Sequence, residues 1–161
     1  GGLSAWLKMG FPLSSMTADY SMPEPTNYSA NICEELIVSK DEVLTSIDDA
    51  GSIVWDARAP EEFNGVKVTA LRNGHIPGAA NLNWLDLQDR GNGLRLKPLP
   101  EIERQLNELR ISKDKKVITH CQTHHRSGLT YLVGKALGYD IKAYDGSWSE
   151  WGNDLKVPIE K

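Results

Sequence analysis

The sequence predicts an α/β fold in three layers, a mainly parallel sheet between helices, on three observations. Val117-Ile118-Thr119 is a short β-branched run behind the charged turn Lys113-Asp114-Lys115, and reads as a buried strand. After a polar loop the apolar spacing turns helical, through Leu129, Leu132, Val133, Ala136 and Leu137 to a stop at Gly138. Upstream, a helix announced by the capping box Ser39-Lys40-Asp41-Glu42 precedes the apolar run Ile53-Val54-Trp55. Strands alternating with helices in this way build parallel sheets with helical crossovers.

Composition sets the outer bounds. A chain of 161 residues has room for one domain with a real core. Its 40% hydrophobic and 25% charged content is that of a soluble globular protein. A net charge of -4 and a pI near 5.6 argue against general nucleic-acid binding. The chain has no apolar run of the ~18 residues that a membrane span needs. The two cysteines, Cys33 and Cys121, are expected to be reduced. No secretory leader is visible, and the chain does not open on Met, so the true N-terminus is expected upstream. The expected compartment is cytoplasmic, with the periplasm as the alternative.

Taken in order, residues 14–31 carry prolines, serines and asparagines without periodicity, an extended linker that Tyr20 and Tyr28 would pin to a surface. Leu36-Ile37-Val38 reads as a strand, followed by the capped helix bearing Val43, Leu44 and Ile47. Ile53-Val54-Trp55 reads as a central strand that delivers Asp56 and Arg58 to its C-terminal end, where open α/β sheets build sites. The alternative is a structural Asp–Arg pair. Residues 64–73 are a polar loop with Lys67 and Arg72; then Gly74-His75-Ile76-Pro77-Gly78-Ala79 enters a short strand, His75 being read as structural. Trp84 is a pocket wall or core, 90–93 a loop, and Pro100 opens a helix with Ile102, Leu106 and Leu109 on one face. Ile141 to Tyr144 is the last strand, and Ser147 begins a short helix anchored by Trp148 and Trp151.

Chemistry concentrates where the strand at Val117 ends. Cys121 is followed by Gln122, Thr123, His124, His125, Arg126 and Ser127, all polar, before the helix begins. A helix N-terminus offers unpaired N–H groups and partial positive charge, so a thiol facing it ionises more easily, and the thiolate is the nucleophile. Arg126 adds permanent charge, and His124 and His125 add more if protonated. In a chain of net charge -4 this basic cluster is local and suits a small anionic substrate. Two alternatives stand beside this one. Cys121 can be a buried structural cysteine, and Cys121, His124 and His125 can bind metal, although no fourth ligand is evident.

Cys-Gln-Thr-His-His-Arg-Ser resembles the active-site loop of the rhodanese (sulfurtransferase) family. Val54-Trp55-Asp56-Ala57-Arg58-Ala59-Pro60-Glu61-Glu62-Phe63 resembles its first signature and Gly74-His75-Ile76-Pro77-Gly78-Ala79-Ala80-Asn81 its second. Asp145 to Gly152 resembles the closing segment of the two-domain thiosulfate sulfurtransferases, so the likeness runs over about residues 36 to 159. It implies a five-stranded, mainly parallel sheet. It also implies a domain at 32–161, a linker at 14–31, and residues 1–13 as the tail of a preceding rhodanese-like domain. The alternative for that opening is a glycine-rich leader.

The activity implied is transfer of the outer sulfur of thiosulfate to cyanide or a thiol. Cys121 would carry it as a persulfide, Gln122 to Ser127 would form the binding and stabilising loop, and Asp56 and Arg58 would support it. Neither a metal nor an organic cofactor is implied. Four residues separate Cys121 from Arg126, whereas the phosphatases and arsenate reductases of this fold use five. A shorter ring of N–H donors favours sulfur over a tetrahedral oxyanion. Mercaptopyruvate-using relatives resemble Cys-Gly-Ser-Gly-Val-Thr at this loop, and this chain does not. In some two-domain relatives an arginine four residues past the Asp-x-Arg arginine binds the donor; Glu62 stands there. A persulfide carrier serving a protein partner is the second reading, and a phosphatase the third.

Overall fold

A computed structural model describes residues 1–14, 22–31 and 33–161; Tyr20 lies outside them. In chain order the first elements are α1 (Gly2–Lys8), α2 (Lys40–Ser46), β1 (Ser52–Asp56), α3 (Pro60–Phe63), β2 (Ala80–Asn81) and β3 (Gln88–Asp89). There follow β4 (Arg95–Leu96), α4 (Leu99–Glu108), β5 (Lys116–His120), α5 (Ser127–Ala136), β6 (Asp140–Ala143) and α6 (Ser147–Trp151). The main sheet has the order β2-β1-β5-β6, with every neighbouring pair parallel. β3 and β4 form a separate antiparallel pair around a 3-10 turn at Arg90–Asn92, where the sequence reads only as a loop.

Successive side chains of a strand point to opposite faces, and this sorts the core into two layers. Ile53, Trp55 and Val117 face Ile102 and Leu106 of α4 and Val133 of α5. Val54 and Ile118 face Val43 of α2 and Trp148 and Trp151 of α6. The three-layer α/β/α fold is therefore present. Among the described residues no helix is long and apolar enough to cross a membrane.

Four described strands stand where five are implied. Leu36 is drawn into a 3-10 turn, Glu34–Leu36, and the Ser39 cap starts α2 just beyond. Between them only Ile37 pairs, in parallel with Ala143, with the Val38 N–H donating to the Ala143 carbonyl at 2.8 Å. The capping box forms as read, with Ser39 accepting from the Glu42 N–H and the Glu42 carboxylate accepting from Ser39. α1 is unexpected from the sequence. It lies on the β3–β4 turn through Lys8 Nζ to the Gly91 carbonyl (2.5 Å), and leaves Leu3, Trp6 and Leu7 exposed.

Candidate active site

β1 and β5 are adjacent and in register, Asp56 opposite His120, so their C-terminal ends deliver the chemistry to one edge. Cys121 is the first residue past β5 and α5 begins at Ser127. The loop between them turns tightly, and His124 takes a left-handed φ of 62°. The Cys121 side chain is fully buried. Burial alone pushes its thiol up, but hydrogen bonds from the Ser127 hydroxyl and from the backbone N–H groups of Ser127, Thr123 and Arg126 outweigh this. They hold the thiol below its ordinary value. The cradle expected from a strand–loop–helix turn is thus built mainly from backbone donors.

A second clamp comes from α6, the helix expected from Ser147, although nothing local in the sequence marks its contact with the Cys121 loop. The Trp148 N–H donates to the Cys121 carbonyl at 3.0 Å and the Ser149 N–H to the Gln122 carbonyl at 2.9 Å. The Cys121 N–H donates to Ser147 Oγ at 3.4 Å, while that hydroxyl donates to the Tyr144 carbonyl at 3.0 Å. Ser147 adopts a φ of 52°, costly for a residue with a Cβ, and is held there by these bonds.

The expected loop residues divide into groups. The Thr123 and His125 side chains are exposed, and Ser127 is buried against the sulfur. The Gln122 amide turns away from the sulfur, accepting from Thr69 Oγ1 (2.8 Å) and donating to the Thr69 carbonyl (3.0 Å). It ties down the 64–73 loop, whose Val66, Val68 and Leu71 are exposed. His124 Nδ1 lies 2.8 Å from Ser127 Oγ, and burial lowers the His124 pKa, so the ring is neutral at pH 7 rather than a cation. Arg126 forms a two-pronged pair with Glu62, Nη1 to Oε2 at 2.6 Å and Nη2 to Oε1 at 2.9 Å. These partners are 64 positions apart in the sequence, which is why local reading of the chain missed the pair.

Asp56 and Arg58 lie beneath the loop. Arg58 Nε donates to both Asp56 oxygens at 3.0 Å, and Nη2 to Oδ2 at 2.6 Å and to the Gly74 carbonyl at 2.8 Å. Both side chains are fully buried, and the guanidinium stacks on Trp148, 4.3 Å from the ring centre. His120 Nε2 stands 3.5 Å from Asp56 Oδ2, and Nδ1 lies 3.0 Å from the Cys121 carbonyl. Burial holds His120 below its ordinary value, while Arg58 and His120 outweigh the burial cost on Asp56 and keep it ionised. Asp56 and Arg58 therefore meet the loop through His120 and Trp148. His75 is structural, stacked on Phe63 with Nδ1 2.9 Å from the Phe63 carbonyl. Gly74 precedes it with a φ of 129°, and a Cβ there would collide with the Glu160 carbonyl.

The Rhodanese-like domain family matches residues 39–154. Thiosulfate sulfurtransferases of Azotobacter vinelandii and Pseudomonas aeruginosa are 45% and 43% identical over 163 residues, each alignment covering 99% of this chain and 58% of the relative. The sulfur carrier protein TtuD of Thermus thermophilus is 35% identical over 176 residues, covering 100% of this chain and 60% of TtuD. The chain therefore spans less than two thirds of the length of these curated relatives. In fold it is similar to an EanB variant bound to ergothioneine, with TM-score 0.86 at 23% identity, covering 99% of this chain and 40% of that one. The family match, the whole-chain identity and the cysteine seated between β5 and α5 agree: the chain belongs to the rhodanese-like domain family.

Proposed function

We propose that this domain is a thiosulfate sulfurtransferase working through Cys121. The observation that carries the reading is the Cys121 sulfur held against the N–H groups of Thr123, Arg126 and Ser127, which stabilise negative charge on sulfur. The Cys121 thiolate attacks the outer sulfur of thiosulfate; a new S–S bond forms, the old one breaks, and its electron pair leaves with sulfite. The persulfide, still anionic, keeps the same donors. Cyanide or a thiol then takes the terminal sulfur and returns the thiolate, a ping-pong cycle. Ser127 and the loop amides stabilise the anion, Arg126 faces it, and Asp56 and Arg58 fix the loop from below. The identity to thiosulfate sulfurtransferases supports this donor and a cyanide or thiol acceptor.

A second reading is sulfur relay to a protein. It is favoured by the likeness to a named sulfur carrier and by the exposed Val66, Val68 and Leu71 on the loop tethered to Gln122. In the arrangement proposed here residues 32–161 are the catalytic domain, 14–31 a linker, and 1–13 the tail of a preceding rhodanese-like domain. The greater length of the relatives and the exposed apolar side chains of α1 support it. Free Cys33 and Cys121 suit the cytoplasm. The test is intact mass before and after thiosulfate, with Cys121→Ser as control. One added sulfur, absent in the control and removed by cyanide at a catalytic rate, is expected. Loading with slow cyanide turnover favours the relay. No loading, together with Cys121-dependent phosphate release, would replace both readings with a phosphatase.

A further inference from the structure

Glu62 is the acidic residue facing the loop's permanent cation. Its side chain is only 4% exposed, against 25% for Arg126, and both oxygens are engaged by the guanidinium. The pair draws the Glu62 carboxyl down against its burial cost and raises Arg126. A guanidinium has five N–H groups. Two are spent on Glu62, and the guanidinium lies near enough to the Cys121 sulfur for a thiolate there to raise its pKa further. Other basic groups nearby are similarly committed. Arg58 pairs with Asp56, His124 is held neutral, and Arg72 donates to the carbonyls of Trp151, Asp154 and Val157.

We infer that Glu62 is a specificity-determining positioning residue: it aims Arg126 at the Cys121 sulfur while cancelling the loop's net positive charge, so donors are selected by the sulfur they present rather than by their charge. This rests on the sulfur-transfer reading above. A free guanidinium would favour a dianion over a monoanion of the same reactivity, whereas a neutral pair discriminates weakly. The site is therefore built to take monoanionic sulfane donors, such as thiosulfonates, nearly as readily as thiosulfate.

The test compares thiosulfate, a dianion, with methanethiosulfonate, a monoanion that loses methanesulfinate to the same attack. For each, kcat/KM for persulfide formation is followed by mass and by cyanide turnover. Replacing Glu62→Gln removes the countercharge and should raise the thiosulfate-to-methanethiosulfonate ratio by about fivefold at low salt, mainly through a lower thiosulfate KM. Glu62→Asp, which restores the charge, should bring the ratio back to within about twofold of wild type. An unchanged ratio in Glu62→Gln, with sulfur loading intact from both donors, overturns the inference and leaves the sulfur-transfer reading standing. Wild type loading from neither donor removes both. If Glu62→Gln does not fold, wild type decides. Its ratio should change by less than about twofold between about 20 and 200 mM salt, and a steeper fall overturns the inference.

Discussion

Asp56→Ala isolates the buried ion pair beneath the Cys121 loop. The substitution removes the carboxylate that accepts from Arg58 Nε, Nη2 and the Arg58 backbone N–H, and leaves a fully buried guanidinium with only the Gly74 carbonyl and the Trp148 face. Removing one partner of a buried pair costs about 3–5 kcal/mol, because the surviving charge is uncompensated. In a domain of this size each kcal/mol lowers Tm by about 2–4 °C, so a fall of roughly 6–20 °C is expected. Thermal and urea unfolding followed by circular dichroism measure it. The double variant Asp56→Ala/Arg58→Met removes both charges and should recover most of the loss. A single variant costing under about 1 kcal/mol, or a double variant no more stable than the single, would refute the pairing argument.

Two further outcomes follow from the site. Ser127→Ala deletes the hydroxyl that donates to the Cys121 sulfur, and should raise the thiol's midpoint toward its ordinary value. The pH profile of iodoacetamide alkylation reads this, and an unmoved profile would take Ser127 out of the cradle. Acid should destabilise the fold through Asp56 and Glu62, both held below their ordinary values by basic partners. A depressed carboxyl binds fewer protons folded than unfolded, so its contribution is complete above the unfolded value of ~4. It is lost as pH falls through the folded value. Urea midpoints measured downward from about pH 6 should fall most steeply below about pH 4, less so in Glu62→Gln. A flat profile would contradict the direction of both shifts.

What the sequence shows and what it hides divide along contact range. The Ser39–Glu42 box, the runs at Ile53 and Val117 and the helix after Ser127 are patterns within a few residues, and each becomes the element expected. The proposed nucleophile is legible for the same reason, because Cys121 and its cradle lie within seven consecutive positions. The edge pairing at Ile37 fails as a full strand because a 3-10 turn and a helix cap compete for the same residues. The Glu62–Arg126 pair, the Thr69–Gln122 tie and the α6 clamp join segments brought together only by the sheet. Polar residues in a row mark a site, but not which of them faces the sulfur. Gln122 and His124, read as loop donors or cations, are taken up by Thr69 and Ser127 instead.

The clamp on Cys121 also sets an order in biosynthesis. Cys121 and its cradle emerge from the ribosome before Trp148 and Ser149, whose N–H groups lock the Cys121 and Gln122 carbonyls. At about 5–20 residues per second the interval lasts a few seconds. During it Cys121 is a thiol on an unfinished sheet edge, since β6 and its pairing with β5 also come later. Oxidants and electrophiles reaching that thiol would meet it before its final shelter exists, so oxidation at Cys121 is expected to be enriched in newly made chains. A pulse of label, chased under mild peroxide, should find the oxidised cysteine in the youngest molecules.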